Sequence, residues 1–426
     1  MDESKYTAIL NQELVNSLGC TEPIAFSYAT AVARKYANHG IVTRVQINAS
    51  PNLIKNAMAV TLPGTSPFEI NLSSPLMAAA LGIINPETNK NLEILNHISK
   101  SQIENAKEMI SEGIISLNIA KSKSKLYLEV ILETNDSRVK VVVADSHTNV
   151  VLVEVNGQII RRKSPSYNME KNEDMDIEGI LNFVEAVDPC KLDIIHKSIE
   201  INKKICKEGL KKSYGLQVGI NIKGNRDNGF FSNDIISQAI AFTAAGSDAR
   251  MSGCSLPAMS NSGSGNQGIS STIPVVIVGE KLDLPSEMLI KAVTLSNLIT
   301  IYIKSHFGLL SPMCGAIISA TGASCGITYL LGGKKSEIRS ALQIMLANLT
   351  GMICDGAKSG CALKIATCTY SAIQSALLAI NGVKIPTKEG IMGETAEKTI
   401  ENFCNLANKG MVPVDDQILE IILQKT

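Results

Sequence analysis

The stretch Gly351-Met-Ile-Cys354-Asp-Gly-Ala-Lys-Ser-Gly-Cys361-Ala-Leu-Lys364 places two thiols in a glycine-rich run, with six residues between them. Cys314 stands upstream in Ser311-Pro-Met-Cys314-Gly315, and Cys20 follows Gly19 in Cys20-Thr21-Glu22-Pro23. Thiolates on glycine-rich turns suit a soft metal centre, because the sulfurs must converge and a backbone lacking Cβ atoms can come close to a bulky cluster. An iron–sulfur centre is the first candidate, with Cys314, Cys354 and Cys361 as ligands. Three thiolates on a [4Fe-4S] cluster would leave one iron open, a Lewis acid able to hold a substrate heteroatom. Zinc competes, but structural zinc sites usually pair their cysteines closely, and C-x2-C occurs nowhere in the chain. Three unligated buried thiols are the remaining alternative, and spacing does not decide between them and a metal.

Other polar constellations could hold a substrate. Asn261-Ser-Gly-Ser-Gly-Asn-Gln-Gly268 offers amides and hydroxyls suited to a carboxylate or phosphate. It lacks the pattern of a dinucleotide fingerprint, and an ordinary loop reads the same way. In Asn52-Leu-Ile-Lys55-Asn56, followed by Leu62-Pro-Gly-Thr65, Lys55 could pair with a substrate carboxylate or be a solvated surface lysine. Asp248 and Arg250 could form a structural salt bridge or a substrate clamp. The five histidines are scattered and make no metal pattern, and no G-x-S-x-G elbow marks a hydrolase.

These residues need elements to position them. Residues 5–38 read as helical, with Leu10, Leu14, Val15 and Leu18 on one face up to Gly19 and a second helix starting near Pro23. Cys20, Thr21 and Glu22 then precede a helix N-terminus, where amides and the helix dipole lower a thiol's pKa. Alternation from Val42 to Asn48 reads as a strand, residues 53–61 and 75–84 as helical or mixed, and 103–118 as a helix. Runs starting at Leu126, Val139, Val150 and Gln158, separated by Asn, Asp and Gly turns, read as an antiparallel meander. Lys163–Asp176 is polar and charged and reads as a linker. Beyond it the pattern is helical, apart from Val275-Val-Ile-Val-Gly279, which fits either state. The expectation is an α+β protein: an N-terminal α+β lobe with an antiparallel sheet and an all-α C-terminal lobe. In domain terms, residues 1–40 would pack on the catalytic lobe, 41–165 form the α+β domain, and 166–426 the helical catalytic domain.

Composition excludes other classes. The chain has 426 residues, with 40 basic residues balanced by 40 acidic ones and 4% aromatics, so nucleic acid is not an expected partner. Its polar, acidic start lacks a secretory pattern, which points to the cytosol, where ten cysteines are not a disulfide framework. Cys190, Cys206, Cys254, Cys325, Cys368 and Cys404 read as small buried hydrophobes. The mean hydropathy of +0.13 and the uncharged stretch Met313–Gly333 raise the question of a membrane span. Its many Gly, Ser and Thr residues suit turns between buried helices instead.

Taken in order, the motifs resemble the L-cysteine desulfidase family: Gly19-Cys-Thr-Glu-Pro23, Lys55-Asn56 with Pro63-Gly-Thr65, Ser247-Asp-Ala-Arg-Met251, the Asn261–Gly268 loop, Ser311-Pro-Met-Cys-Gly315, and Cys354–Lys364. The C-terminal lobe is also similar to the α-region of iron–sulfur serine dehydratases, where a cysteine, a Gly-Gly turn, a Cys-Asp and a further cysteine follow one another. Here Cys314, Gly332-Gly333, Cys354-Asp355 and Cys361 keep that order, with a shorter last interval. The resemblance implies breakdown of L-cysteine to pyruvate, ammonia and sulfide on a [4Fe-4S] cluster, without pyridoxal phosphate. The corresponding alternative is an L-serine dehydratase, and a non-catalytic metal-binding protein is a third reading. Cys314, Cys354 and Cys361 would hold the cluster. Cys20 would be the base, or a fourth ligand displaced by substrate. Ser262, Ser264, Asn266 and Gln267 would hold the substrate, with Thr21, Glu22, Lys55, Asn56 and Arg250. The expected partner is a small amino acid, with a homo-oligomer left open.

Overall fold

The computed structural model describes residues 3–37, 40–62, 75–122, 126–163, 175–225, 228–307 and 311–425. The expected linker falls almost wholly outside these residues, as do Pro63, Gly64 and Thr65.

In chain order the first half comprises α1 (Glu3–Glu13), β1 (Asn16–Ser17), α2 (Thr21–Tyr36), β2 (Val42–Ala49), α3 (Pro51–Ala57), α4 (Pro75–Ile84) and α5 (Lys100–Ser111). The strands β3 (Ile115–Ile119), β4 (Tyr127–Thr134), β5 (Arg138–Ala144), β6 (Val150–Val155) and β7 (Gln158–Arg162) follow. The second half begins with α6 (Ile177–Ala186), α7 (Asp193–Gly209), α8 (Val218–Gly224), α9 (Ile235–Met251), β8 (Ala258–Met259) and α10 (Gly265–Lys281). It ends with α11 (Ser286–Phe307), α12 (Gly315–Leu330), α13 (Lys335–Asn348), α14 (Cys361–Ile380), α15 (Ala396–Asn405) and α16 (Val412–Leu423).

The protein is α+β, with a sheet in its first half and a helical second half. β4 to β7 form the antiparallel meander that their turns dictate, and β2 joins β4 antiparallel. The sheet is not antiparallel throughout: β3 lies parallel to β2. Residues 115–119, expected to extend a helix, form this strand because α5 stops at Ser111 and Gly113 takes a φ of 71°. On β4, Leu128, Val130 and Leu132 are fully buried, each worth about 1.5–3 kcal/mol. They belong to one core with α2 and α4. The opposite face is polar at Asn48, Glu129 and Lys140, with Lys140 paired to Glu129 at 2.7 Å.

The helical half packs α12 among α10, α11, α13 and α14. Ala316 to Thr328 are all buried, so this uncharged stretch is one continuous core helix rather than a set of turns. The run Val275–Gly279 is likewise the buried end of α10. Among the described residues two helices, α11 and α14, are long and apolar enough to cross a membrane, and 72% and 50% of their most apolar windows are buried within the protein.

The first two helices part company. Tyr6, Ile9, Leu10 and Leu14 join the core of the helical half, where Tyr6 stacks on Phe183 with ring centroids 4.9 Å apart. The face of α2 joins the sheet. Between them the expected helix is broken. Asn16 and Ser17 pair with Met259 and Ala258, and the Ser260 N–H donates to the Val15 carbonyl at 2.9 Å. Long-range strand pairing overrides a favourable local helix pattern here. Cys20 sits where the chain passes from one core to the other. The return crossing is α16, which packs on α3 and buries Leu419 in the sheet core.

Candidate functional site

Four helix N-termini meet at one cleft. Cys20 is the N-cap of α2, Ser264 of α10 and Cys314 of α12, and Cys361 is the first residue of α14. All four residues line the cleft, together with Cys354. A helix N-terminus carries a partial positive charge, which favours thiolates and a carboxylate, although the first amides of α14 are taken up by the turn before it.

The cysteine loops are tied together by backbone. Met313 and Ile353 form an isolated antiparallel bridge. The Cys314 N–H donates to the Met352 carbonyl at 2.9 Å, and the Cys354 N–H to the Pro312 carbonyl at 2.7 Å. Asp355 anchors the loop beyond by pairing with Lys358 and Lys364, which hold its carboxyl down at about 2 against the opposing effect of burial. Burial pushes the Cys314 thiol up to about 12, with Cys354 and Cys361 adding to it, and burial also raises Cys361. Burial thus favours the protonated form of Cys314 and Cys361; a bound metal reverses that preference.

The donor set suits a cluster better than a single ion. Among the described residues, no group of three or more His, Cys, Asp or Glu side chains is placed to hold one metal ion. A multi-iron cluster takes each thiolate on a different iron, so its ligands need not share one coordination sphere. Cys314, Cys354 and Cys361 are free thiols lining one cleft, and this donor set fits a cluster held by three cysteines.

Cys20 departs from the expected lowered pKa. It is 4% exposed, and its thiol donates to Glu22 Oε2 at 2.8 Å. Burial, then the Glu22 charge, push the thiol well above its usual range; Arg250 works the other way. The dipole argument failed because burial and an adjacent carboxylate outweigh one helix terminus. Burial alone would raise Glu22, but His147, the Cys20 thiol and Arg250 hold its carboxyl below the usual value. The Thr21 hydroxyl lies 3.2 Å from both Glu22 Oε2 and the Gly263 carbonyl, and Asn56 Nδ2 lies 3.4 Å from Glu22 Oε1.

Other residues of the cleft are polar and incompletely partnered. Arg250, 3% exposed at the end of α9, donates from Nη1 to Met251 Sδ at 3.4 Å and leaves Nε without a partner. Asn266 Nδ2 also reaches Met251 Sδ, and Gln267 Nε2 donates to the Asn261 carbonyl at 3.0 Å. The side-chain oxygens of Asn56, Asn266 and Gln267 are buried without partners. Buried polar groups are almost always satisfied, so one guanidinium nitrogen and three amide oxygens left over at one cleft describe a receptor for a small polar ligand. Close approach makes room for them. A Cβ on Gly265 would lie 2.3 Å from Arg250 Nε, and one on Gly315 2.5 Å from Gln267 Oε1. Gly265→Ala should therefore displace the guanidinium and cut kcat/KM by up to about 10²-fold, while thiol content and fold by circular dichroism stay as in the wild type.

Two expected substrate residues lie elsewhere. Lys55 is not on the cleft: its ammonium is 1% exposed, pairs with Asp415 at 2.5 Å and donates to the Cys354 carbonyl at 3.0 Å. Neither a surface lysine nor a substrate ligand, it supports the cysteine loop from behind. Ser262 donates to Asn261 Oδ1 at 2.9 Å within the tight turn that delivers Ser264, and does not line the cleft. Asp248 does not pair with Arg250; its Oδ2 accepts the Gly219 N–H at 3.0 Å, and burial pushes its carboxyl up to about 7. Sequence reasoning missed Met251, which the Ser-Asp-Ala-Arg-Met motif contained, and the apolar lining by Ala316, Ala357 and Ile365. It also passed over His147 as one of five scattered histidines.

The helical half gathers its cysteine loops at helix N-termini, and its family is one of dehydratase-type lyases. Residues 89–420 match the family described as serine dehydratase alpha chain, and the chain belongs to that family. Among its relatives is a UPF0597 protein of Clostridium perfringens (strain SM101 / Type A), 45% identical over 424 residues that cover 99% of this chain and 98% of the relative. UPF0597 proteins of Alkaliphilus metalliredigens and Actinobacillus pleuropneumoniae are similar at 40% and 38% identity. They cover 97% and 99% of this chain, and 94% and 98% of their own lengths. The family is associated with iron–sulfur serine dehydratases.

Proposed function

We propose that the protein is an iron–sulfur L-cysteine desulfidase, releasing sulfide from L-cysteine to leave pyruvate and ammonia. The observation that carries this reading is the shared cleft: three free thiols line it together with Cys20, the unpartnered Nε of Arg250 and three unpartnered amide oxygens. An amino acid matches these polar groups. Its carboxylate pairs with Arg250 and the α10 N-terminus, and its ammonium donates to the oxygens of Asn56, Asn266 and Gln267. Cys314, Cys354 and Cys361 would hold a [4Fe-4S] cluster, which supplies a Lewis acid for the departing sulfur.

Cys20 is the candidate base. Its thiol donates to Glu22 Oε2, the nearest acceptor for its proton; the transfer runs uphill, from a raised thiol to a lowered carboxylate, and leaves a minor population of thiolate at the head of α2. That thiolate takes the Cα proton as the Cβ–S bond breaks and sulfur leaves with the bonding pair. The resulting aminoacrylate tautomerises to an imine, which water hydrolyses. Met251, Ala316, Ala357 and Ile365 give the cleft a soft, apolar lining that suits a thiol better than a hydroxyl.

Membership of the serine dehydratase alpha chain family favours a second reading, an L-serine dehydratase. Anaerobic reconstitution with iron and sulfide, desalting, and paired assays on L-cysteine and L-serine separate the two. The expected result is cluster-dependent sulfide and pyruvate in equal amounts from L-cysteine. Turnover of serine alone moves the protein to the dehydratase branch, and failure to take up iron overturns both.

A further inference from the structure

Asn297 lies in the middle of α11 and is fully buried. That helix is apolar enough to cross a membrane, and a carboxamide inside it is costly unless its hydrogen-bonding positions are filled. Here they are. Its Nδ2 donates to the Val293 carbonyl at 2.9 Å and lies 3.4 Å from Thr272 Oγ1. Its Oδ1 accepts Asn261 Nδ2 at 2.9 Å and the Ser271 hydroxyl at 3.0 Å. A carbonyl only accepts, so the bond to Val293 fixes which way this amide faces: nitrogen to the preceding turn of α11, oxygen to Asn261.

The loop passes that orientation on. Asn261, also fully buried, gives its Nδ2 to Asn297 and takes the Ser262 hydroxyl on Oδ1 at 2.9 Å. Its backbone N–H and carbonyl pair with the Ser264 carbonyl and N–H, both at 3.1 Å. The same Asn261 carbonyl accepts Gln267 Nε2 at 3.0 Å. The partner is again a carbonyl, so the donor end of Gln267 is committed. What remains is its Oε1, buried without a partner on a residue that lines the cleft. It lies against Gly315, the residue after Cys314, where a Cβ would come within 2.5 Å of it.

A relay of three amides thus gives one point of the cleft a fixed sign. A ligand group beside Gln267 must be a hydrogen-bond donor, because an acceptor there would set oxygen against oxygen and leave both unpaired. We propose that Asn297 is the positioning residue that sets this polarity: acting through Asn261, it holds the Gln267 oxygen toward the ligand and so selects substrates with an α-ammonium over matching acids that lack one. This rests on the reading of the cleft as an amino-acid site. Asn297 is not a catalytic residue, since it does not line the cleft.

Asn297→Ala and Asn261→Ala each cut the relay, the second while keeping the backbone carbonyl that Gln267 uses. In reconstituted enzyme each should raise KM for L-cysteine about ten-fold, the worth of one hydrogen bond to a charged group. The kcat should stay within about two-fold, because binding lost equally from substrate and transition state raises KM alone. The compound 3-mercaptopropionate has the thiol and carboxylate of cysteine without the ammonium. Its Ki as a competitive inhibitor should move less than about two-fold, since it never used Gln267. Placed on Gln267→Ala, Asn297→Ala should add less than about two-fold to KM. A purely structural role would instead reduce the active fraction, or weaken cysteine and mercaptopropionate alike.

An unchanged KM for cysteine, a Ki that rises in step with it, or effects of Asn297→Ala and Gln267→Ala that multiply in full overturns the proposal. A measurement on the metal-free wild type needs neither turnover nor a relay variant that folds. The Gln267 side-chain amide signal, identified with Gln267→Ala, should exchange its protons with solvent at least about ten-fold more slowly than an exposed glutamine such as Gln158. Exchange at the exposed rate overturns the proposal. If the wild type turns over no amino acid, the lyase reading falls, and the exchange rate still decides whether Gln267 is held.

Discussion

Cys20→Ala abolishes sulfide release while the reconstituted protein keeps its iron and its visible absorbance. That is the expected result if Cys20 takes the Cα proton, and kcat should fall by about 10²–10⁴-fold, the usual worth of a positioned general base. The structure supports this expectation by geometry. Cys20 lies on the same cleft as the three other thiols, but its sulfur is already engaged by Glu22 at 2.8 Å. Its thiol is also opposed to ionising, through burial and the carboxylate beside it. A base that begins as a buried, hydrogen-bonded thiol needs Glu22 as the first proton acceptor. Glu22→Gln should therefore reproduce much of the loss with Cys20 intact. Iron and absorbance are the deciding controls. If Cys20→Ala cannot hold the cluster, Cys20 is a fourth ligand and the proton goes elsewhere.

Lys55→Ala is expected to destabilise the protein by about 3–5 kcal/mol, the cost of leaving one member of a buried ion pair without the other. Lys55 and Asp415 are 1% and 8% exposed and in direct contact, so the abandoned carboxylate has little water to turn to. Denaturant unfolding measures the loss. Replacing both residues, Lys55→Met with Asp415→Leu, should recover most of it, because a matched apolar pair avoids the desolvation cost. The same ammonium holds the Cys354 carbonyl, so Lys55→Ala should also speed removal of iron by a chelator. A role in binding substrate carboxylate would give the opposite pattern, with KM raised and stability unchanged.

The reason Lys55 was misjudged says what the sequence can and cannot carry. Its local surroundings, Asn52-Leu-Ile-Lys-Asn56, look like any polar turn, and its partner lies 360 residues away. The cysteines were legible because their residue type is rare and chemically committed; Asn266 and Gln267 were singled out by a glycine-rich polar loop, and Arg250 by its place in Ser247-Asp-Ala-Arg-Met251. Ser262 belonged to the right loop, but its turn, with a φ of 48°, directs the role to Ser264. The meander was legible from alternation and turn residues. The parallel strand β3 was not, because Ile115–Ile119 is short and its pairing with β2 is decided by the sheet. His147 had no local signal; only the fold brings it near Gly263.

The pin between Lys55, Cys354 and Asp415 also has a consequence for the order of assembly. Its two contacts close sequence separations of 299 and 360 residues, among the longest loops this chain can form, and such closures come late in folding. During synthesis all the cleft's cysteines have been made before Asp415 is. The loop bearing Cys354 thus passes through a period in which its thiols exist but its anchor does not. Maturation of the centre and completion of the fold share that interval, so a truncation that removes only α16 should act first on how well the cleft is finished, far from any residue that touches substrate.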